Sequence, residues 1–299
     1  MKKISIHQAG TSLGSFSSGA EAGPRALLDR GLEARLMAAG YTVHLLPEID
    51  YSQEAEEIEK VRESRRLIPW LQALRQQLIM RPQSEINLTI GGDHSVAIAT
   101  LLAAKKRNPD VVCIYVDAHP DGNDIESSPT GNLHGMPLRV VTGEILSEQF
   151  EGPYFRPDEI ILLGIKDIDD AEQVWIDQNA VSYFSIDHII EQSTGRVMEQ
   201  LTSLIKGRPV HISYDIDAID TLHAPGTGIR NHGGLTLREA SYIARKLGQL
   251  HPISIDLVEF NPWRDEAAKT ADLSLQIITE LVGGSWGSYA TYLAKGHNE

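Results

Sequence analysis

Cysteine is almost missing from this chain of 299 residues. The single one, Cys113, excludes an internal disulfide framework and a cysteine-built metal site. It sits inside an apolar run and reads as a small buried hydrophobe. Apolar runs of membrane-spanning length are missing too, which excludes a bilayer-crossing helix. Met1-Lys2-Lys3 is basic, but Ile4-Ser5-Ile6-His7-Gln8 is not the apolar core of a secretory signal. Positive charge is short: 27 Lys and Arg against 41 Asp and Glu leave a net charge of −14. That argues against a nucleic-acid partner and against an anionic membrane surface. No low-complexity linker and no internal repeat interrupts the chain. A cytoplasmic, reducing location is the expectation. Hydrophobic content of 41% and charged content of 23% are those of a soluble globular protein, and one domain over residues 1–299 is expected.

What is present centres on Asp117-Ala118-His119-Pro120-Asp121. The preceding run Val111-Val112-Cys113-Ile114-Tyr115-Val116 is apolar and β-branched, as in a strand covered on both faces. Two carboxylates and an imidazole at the edge of a core are expensive without a compensating partner. A metal ion would turn them into ligands. In extended chain Asp117, His119 and Asp121 project to one side, so three ligand-type side chains converge.

Along the chain, strand signals lie at residues 4–7, 41–46, 87–90, 111–116, 160–164, 181–184, 207–214 and 253–258. Helical signals fall between them. Gly23-Pro24 opens a helix that Gly40 stops, with Pro24 suited to the first turn. A charge-laced helical region is expected over 52–80, and further helices over 96–106, 168–179, 236–250 and 269–282. Residues 122–134 form a long loop, a length that usually carries function. This alternation predicts an α/β fold: a mostly parallel sheet with helices on both faces. His94, Asp117, Asp215 and Glu259 then stand at four strand ends on one edge, where open α/β sheets build their sites.

His94, Asp117, His119, Asp121, Asp215 and Asp217 are too many ligands for one zinc ion. They suit two divalent ions that share carboxylates. The oxygen-rich set with some nitrogen favours Mn²⁺, although Zn, Co, Ni and Fe also take such ligands. Two close metals lower the pKa of a shared water and position it, so hydrolysis is the expected reaction. Alone, an Asp-X-Asp is more often a turn or a helix cap. Gly91-Gly92-Asp93-His94 alone reads equally as a turn with a capping aspartate, and a lone His134 in a Gly-rich loop is more often solvated than catalytic. Three such motifs at successive strand ends resist those readings.

Gly91-Gly92-Asp93-His94-Ser95, Asp117-Ala118-His119-Pro120-Asp121 and Ser213-Tyr214-Asp215-Ile216-Asp217-Ala218-Ile219-Asp220 resemble the three signature motifs of the ureohydrolases, which include arginase, agmatinase and formimidoylglutamase. The resemblance runs from Gly19-Ala20-Glu21-Ala22-Gly23-Pro24 to Glu259-Phe260-Asn261-Pro262. It implies a three-layer α-β-α fold with a binuclear manganese site. It also implies attack by a bridging hydroxide on a guanidinium or amidine carbon. By the same resemblance the six side chains above are the metal ligands, with Asp117 and Asp215 bridging. Asp121 would also hydrogen-bond the nucleophile, and Glu259 would pair with the substrate guanidinium, a planar cation that a carboxylate matches. A homo-oligomer, trimer or hexamer, is implied as well.

Within the family the chain is most similar to arginases. Asn123, Ser128, Thr130, Asn132 and His134 lie in a loop resembling the one that holds the α-carboxylate of the amino acid. His134 corresponds to the proton-shuttle histidine. Asp169 and Glu172 resemble the acidic pair that binds the α-ammonium, although a helix N-terminus favours acidic residues anyway. The chain departs from the family at Ala218, Thr221, Pro120 and the Phe16-Ser17-Ser18 loop, which lacks a basic residue. Ile229-Arg230 replaces a usual Thr-Pro near the guanidinium end. A cation there either repels a guanidinium or recognises a different substituent. The implied reaction is cleavage of L-arginine to L-ornithine and urea. Another guanidino compound with an α-amino acid head, such as Nω-hydroxyarginine, is the rival. Agmatine and formimidoylglutamate stand behind it, since a carboxylate-holding loop serves no purpose for agmatine. A catalytically silent relative would lack a metal ligand, and none is missing.

Overall fold

The computed structural model describes residues 2–49 and 53–284. Among the described residues there are eight strands: β1 (Lys2–Ala9), β2 (Tyr41–Leu45), β3 (Glu85–Gly91), β4 (Val112–Val116), β5 (Ile160–Ile165), β6 (Ser182–Ser185), β7 (Val210–Asp215) and β8 (Ser254–Val258). They pair in parallel in the order β2-β1-β3-β8-β7-β4-β5-β6. Each expected strand exists, with shifts of a residue or a few at its ends.

Alternation along the strands feeds two cores. Val112, Ile114 and Val116 of β4 point into one, against α1 (Gly23–Asp29), α2 (Leu32–Ala38), α8 (Thr194–Ile205), α9 (Leu237–Gly248) and α10 (Lys269–Leu281). Cys113 and Tyr115 point into the other, against α3 (Ser64–Ile79), α4 (Val96–Arg107), α5 (Pro137–Val141) and α6 (Asp170–Asn179). A central strand buried on both faces has no solvent side, so its sequence reads as a continuous apolar run. The result is a three-layer α-β-α fold. Among the described residues no helix is long and apolar enough to cross a membrane.

Several expected helices are corrected. The helix starting at Gly23 does not run to Ala39; it breaks at Arg30 and Gly31, where Gly31 takes φ 91. That left-handed conformation costs a glycine nothing and ends the run. The helical region expected over 52–80 shrinks to Ser64–Ile79, and Ser52 itself lies outside the described residues. Glu54, Glu56, Glu57 and Glu59 offer no apolar face to bury and repel one another at helical spacing. Val61 is buried, but from a turn. Helices α5, α7 (Ile186–Gln192) and α8 are additional to the expected order.

Candidate active site

The strand order sets the site. β3, β8, β7 and β4 are neighbours, so the chain following their carboxyl ends brings His94, Glu259, Asp215 and Asp117 to one place. Gly92 follows β3 so closely against the 10–19 loop that a Cβ there would lie 1.9 Å from the Thr11 carbonyl oxygen. Asp93 ties the same loop down, accepting the Gly14 N–H at 2.8 Å and the Ser95 N–H at 3.0 Å. It braces the turn and leaves His94 as the group facing the site. β4 ends at Val116, so Asp117, His119 and Asp121 do not converge by strand alternation as expected. A turn does it, with Asp121 at φ 50. Glu259 is also left-handed, at φ 63. Such non-glycine positions cost roughly 1–3 kcal/mol and cluster at functional sites.

Two groups of ligand-type atoms share Asp117. His94, Asp117 and Asp215 form one, and Asp117, His119 and Asp217 the other, each with its atoms within 4.8 Å of one another. His94 Nδ1 lies 2.8 Å from Asp117 Oδ2, 3.1 Å from Asp121 Oδ2 and 3.2 Å from Asp215 Oδ2. His119 Nδ1 lies 3.4 Å from Asp117 Oδ1 and 3.4 Å from Asp217 Oδ2. Asp215 Oδ1 accepts the Asp217 N–H at 2.7 Å. Burial, then the charges of Asp121 and Asp217, push Asp117 up to about 6. Asp215 is raised further, by burial and by Asp217 and Asp117. Burial alone would lower His94 and His119; the carboxylates around them outweigh it and raise both well above the usual imidazole range. The four carboxylates and two imidazoles lie close enough together to share divalent cations. Among the described residues, Asp217 Oδ1 is buried without a hydrogen-bond partner, and the close approach of His94 Nδ1 to Asp117 Oδ2 lacks hydrogen-bond geometry. A pair of divalent ions fits that donor set and would satisfy those atoms.

A cavity of about 210 Å³ opens over the cluster. His94, His119, Asp121, Asp215, Asp217, His134 and Glu259 line it, together with Asn123, Ser128, Thr130, Asn132, Asp169 and Glu172. Asp117 lies beneath, fully buried. Every site residue expected from the sequence is therefore in or directly under one cavity. Asn132 is 1% exposed and neither amide atom has a partner among the described residues. Asn123 Nδ2 donates to Asp169 Oδ2 at 3.0 Å. Glu172 accepts two backbone N–H groups, from Gly122 and from Asp169, both at 2.9 Å. Burial pushes its carboxyl up to about 7. It braces the loop as much as it lines the cavity.

His134 Nδ1 lies 3.3 Å from Glu259 Oε1. Burial would lower this imidazole, but the hydrogen bond and charge of Glu259, with Asp121 and Asp93, lift it to about 9. Arg230 does not enter the cavity: it is half-exposed and faces Glu266 at 3.4 Å. Ile229 and Phe16 line the cavity instead. Sequence reasoning missed three supporting residues: Tyr115, Ser213 and Asp256. Tyr115 stacks on the His94 ring with centroids 4.5 Å apart and donates to Asp121 Oδ2 at 2.8 Å. The available signal was polar residues at period two, His211, Ser213 and Asp215, inside an otherwise apolar strand.

A family model described as the arginase family matches residues 2–283. An arginase of Staphylococcus aureus (strain COL) is 33% identical over 294 residues, covering 94% of this chain and 97% of that protein. The solved structure of Bacillus caldovelox arginase aligns with a TM-score of 0.89 at 30% identity, covering 96% of this chain and all of that one. The Entamoeba histolytica arginase solved in complex with L-ornithine aligns with a TM-score of 0.86 at 28% identity, covering 94% of this chain and 99% of that one.

Proposed function

This chain belongs to the arginase family, and we propose that it hydrolyses L-arginine to L-ornithine and urea. One observation carries the reading: a carboxylate–imidazole cluster with an orphaned ligand atom lies under a cavity that is also lined by an orphaned amide and an acidic side chain. His94, Asp117, Asp121 and Asp215 would hold one divalent ion, and His119, Asp117, Asp215 and Asp217 the second. Bound there, such ions would supply an activated water as nucleophile. Manganese is the metal of this reading, because the donors are mostly carboxylate oxygens.

The chain's own groups do the rest. Glu259 faces the guanidinium, with Oε1 held by the His94 N–H at 3.0 Å. Asp121, fixed by Tyr115, accepts a hydrogen bond from the nucleophile. His134 keeps its proton near neutral pH and delivers it to the departing amine. Asn123, Ser128, Thr130 and Asn132 meet the α-carboxylate, and Asp169 meets the α-ammonium with Glu172 behind it. A single domain, a cytoplasmic location and a homo-oligomer belong to the same reading. The family match over residues 2–283 and the one buried cysteine support the first two, and family resemblance supports the third.

Urea release across guanidino compounds with Mn²⁺ added tests this. A site built around polar head groups rejects an analogue lacking them by up to about 10⁴–10⁵-fold. Arginine should therefore exceed agmatine by orders of magnitude. Equal efficiency on both would defeat the assignment.

A further inference from the structure

Asp215 ends β7, and Ser213 and His211 lie on the same side of that strand. In register with β8, Ser213 is paired with Asp256 and His211 with Ser254. All four side chains are buried. Ser213 Oγ donates to Asp256 Oδ1 at 2.5 Å and lies 2.9 Å from His94 Nε2. Asp256 Oδ2 accepts from Thr100 Oγ1 at 2.5 Å and from His211 Nε2 at 2.9 Å. His211 Nδ1 lies 2.7 Å from Ser254 Oγ.

Counting protons fixes the direction of this chain of hydrogen bonds. An ionised carboxylate only accepts, and a hydroxyl has one proton to give. Three donors converge on Asp256, so the Ser213 proton points to it. The Ser213 lone pairs are then what faces His94, and Nε2 of His94 must be the donor. In a neutral ring Nδ1 is left with its lone pair. Nδ1 is also the atom that lies 2.8 to 3.2 Å from Asp117, Asp121 and Asp215.

We propose that Asp256, acting through Ser213, is a positioning residue that locks His94 into its metal-binding tautomer. This rests on the reading of His94 as a metal ligand. Asp256 is fully buried and is not among the residues lining the cavity, so it acts only through its neighbours. The effect is one-sided. The His119 side chain is 23% exposed and lines the cavity, whereas that of His94 is 1% exposed and backed by the buried chain. The Asp256–Ser213 pair therefore governs the ion at His94 and leaves the ion at His119 alone.

The test is calorimetric titration of the full chain with Mn²⁺, comparing wild type, Ser213→Ala and Asp256→Asn. Loss of such a partner typically weakens metal binding about 10–100-fold. That loss is expected in one of the two binding events, with the other unchanged, in both variants. If Asp256→Asn does not fold, Ser213→Ala decides. A Ser213→Ala isotherm identical to wild type overturns the proposal, and so does equal weakening of both events, which is the mark of a general structural defect. A second readout is nitrogen-15 NMR of the zinc-loaded wild type. It should give His94 with its proton on Nε2, and a proton on Nδ1 overturns the proposal. Wild type that binds no divalent ion at all overturns the reading of the centre instead, a result distinct from either.

Discussion

His134 Nδ1 lies 3.3 Å from Glu259 Oε1, and the same oxygen takes the backbone N–H of His94. In the proposed reading, the group that delivers a proton and the group that faces the guanidinium are thus one hydrogen-bonded pair. His134→Ala should lower turnover by ~10²–10⁴-fold, the usual contribution of a general acid or base. Metal content should stay intact, because His134 is outside both groups of ligand-type atoms. Steady-state kinetics with elemental analysis of the same sample checks this. Metal loss in the variant would make His134 a ligand and sink the shuttle role.

Removal of divalent ions should abolish activity and lower the melting temperature. An ion that binds only the folded chain stabilises it by about 2.7 kcal/mol at a hundredfold excess over Kd. The clustered carboxylates also repel one another once the ions leave. Thermal melts before and after chelation, and after Mn²⁺ is restored, make the measurement. An unchanged melting temperature and unchanged activity would remove the basis of a metal centre.

Arg230 and Ile229 separate by direction. Arg230 faces Glu266 at the surface, so Arg230→Ala should change kcat/KM for arginine by less than about twofold, in line with a weak exposed ion pair. Ile229 lines the cavity, and the adjacent Gly228 stands where a Cβ would lie 3.1 Å from Glu259 Oε2. Ile229→Thr puts a hydroxyl at that end. One net hydrogen bond of about 0.5–1.5 kcal/mol should raise kcat/KM for arginine by roughly 2- to 10-fold. A large loss in Arg230→Ala with no change in Ile229→Thr would reverse the assignment.

Glu85 predicts part of the acid sensitivity. The Ser5 hydroxyl at 2.5 Å, Arg81 at 2.8 Å and His44 hold its carboxyl down to about 2. A carboxyl lowered by folding stabilises the fold above its unfolded value of 4.5, and that contribution disappears as pH falls through about 2. Glu85→Gln should therefore melt below wild type at neutral pH, with the gap closing between pH 4.5 and 2. A gap that stays constant across that range would refute it.

The sequence by itself was enough for the strands, the alternating fold class and the side chains that gather at one cavity. Each depends on local information. An apolar β-branched run announces a buried strand, and polar residues at its end stand out against it. The same holds for His94, Asp117, His119, Asp121, Asp215 and Asp217, which lie in short motifs beside those runs. Strand order is different, because pairing joins residues far apart in the chain and leaves no local mark. Only the tertiary structure inserts β8 between β3 and β7, and this sets Asp256 beside Ser213 under His94. The break at Gly31, the turn that aims Asp121 and the outward course of Arg230 were decided there too. Each is a choice among backbone conformations or rotamers of similar local energy, settled by what packs against it.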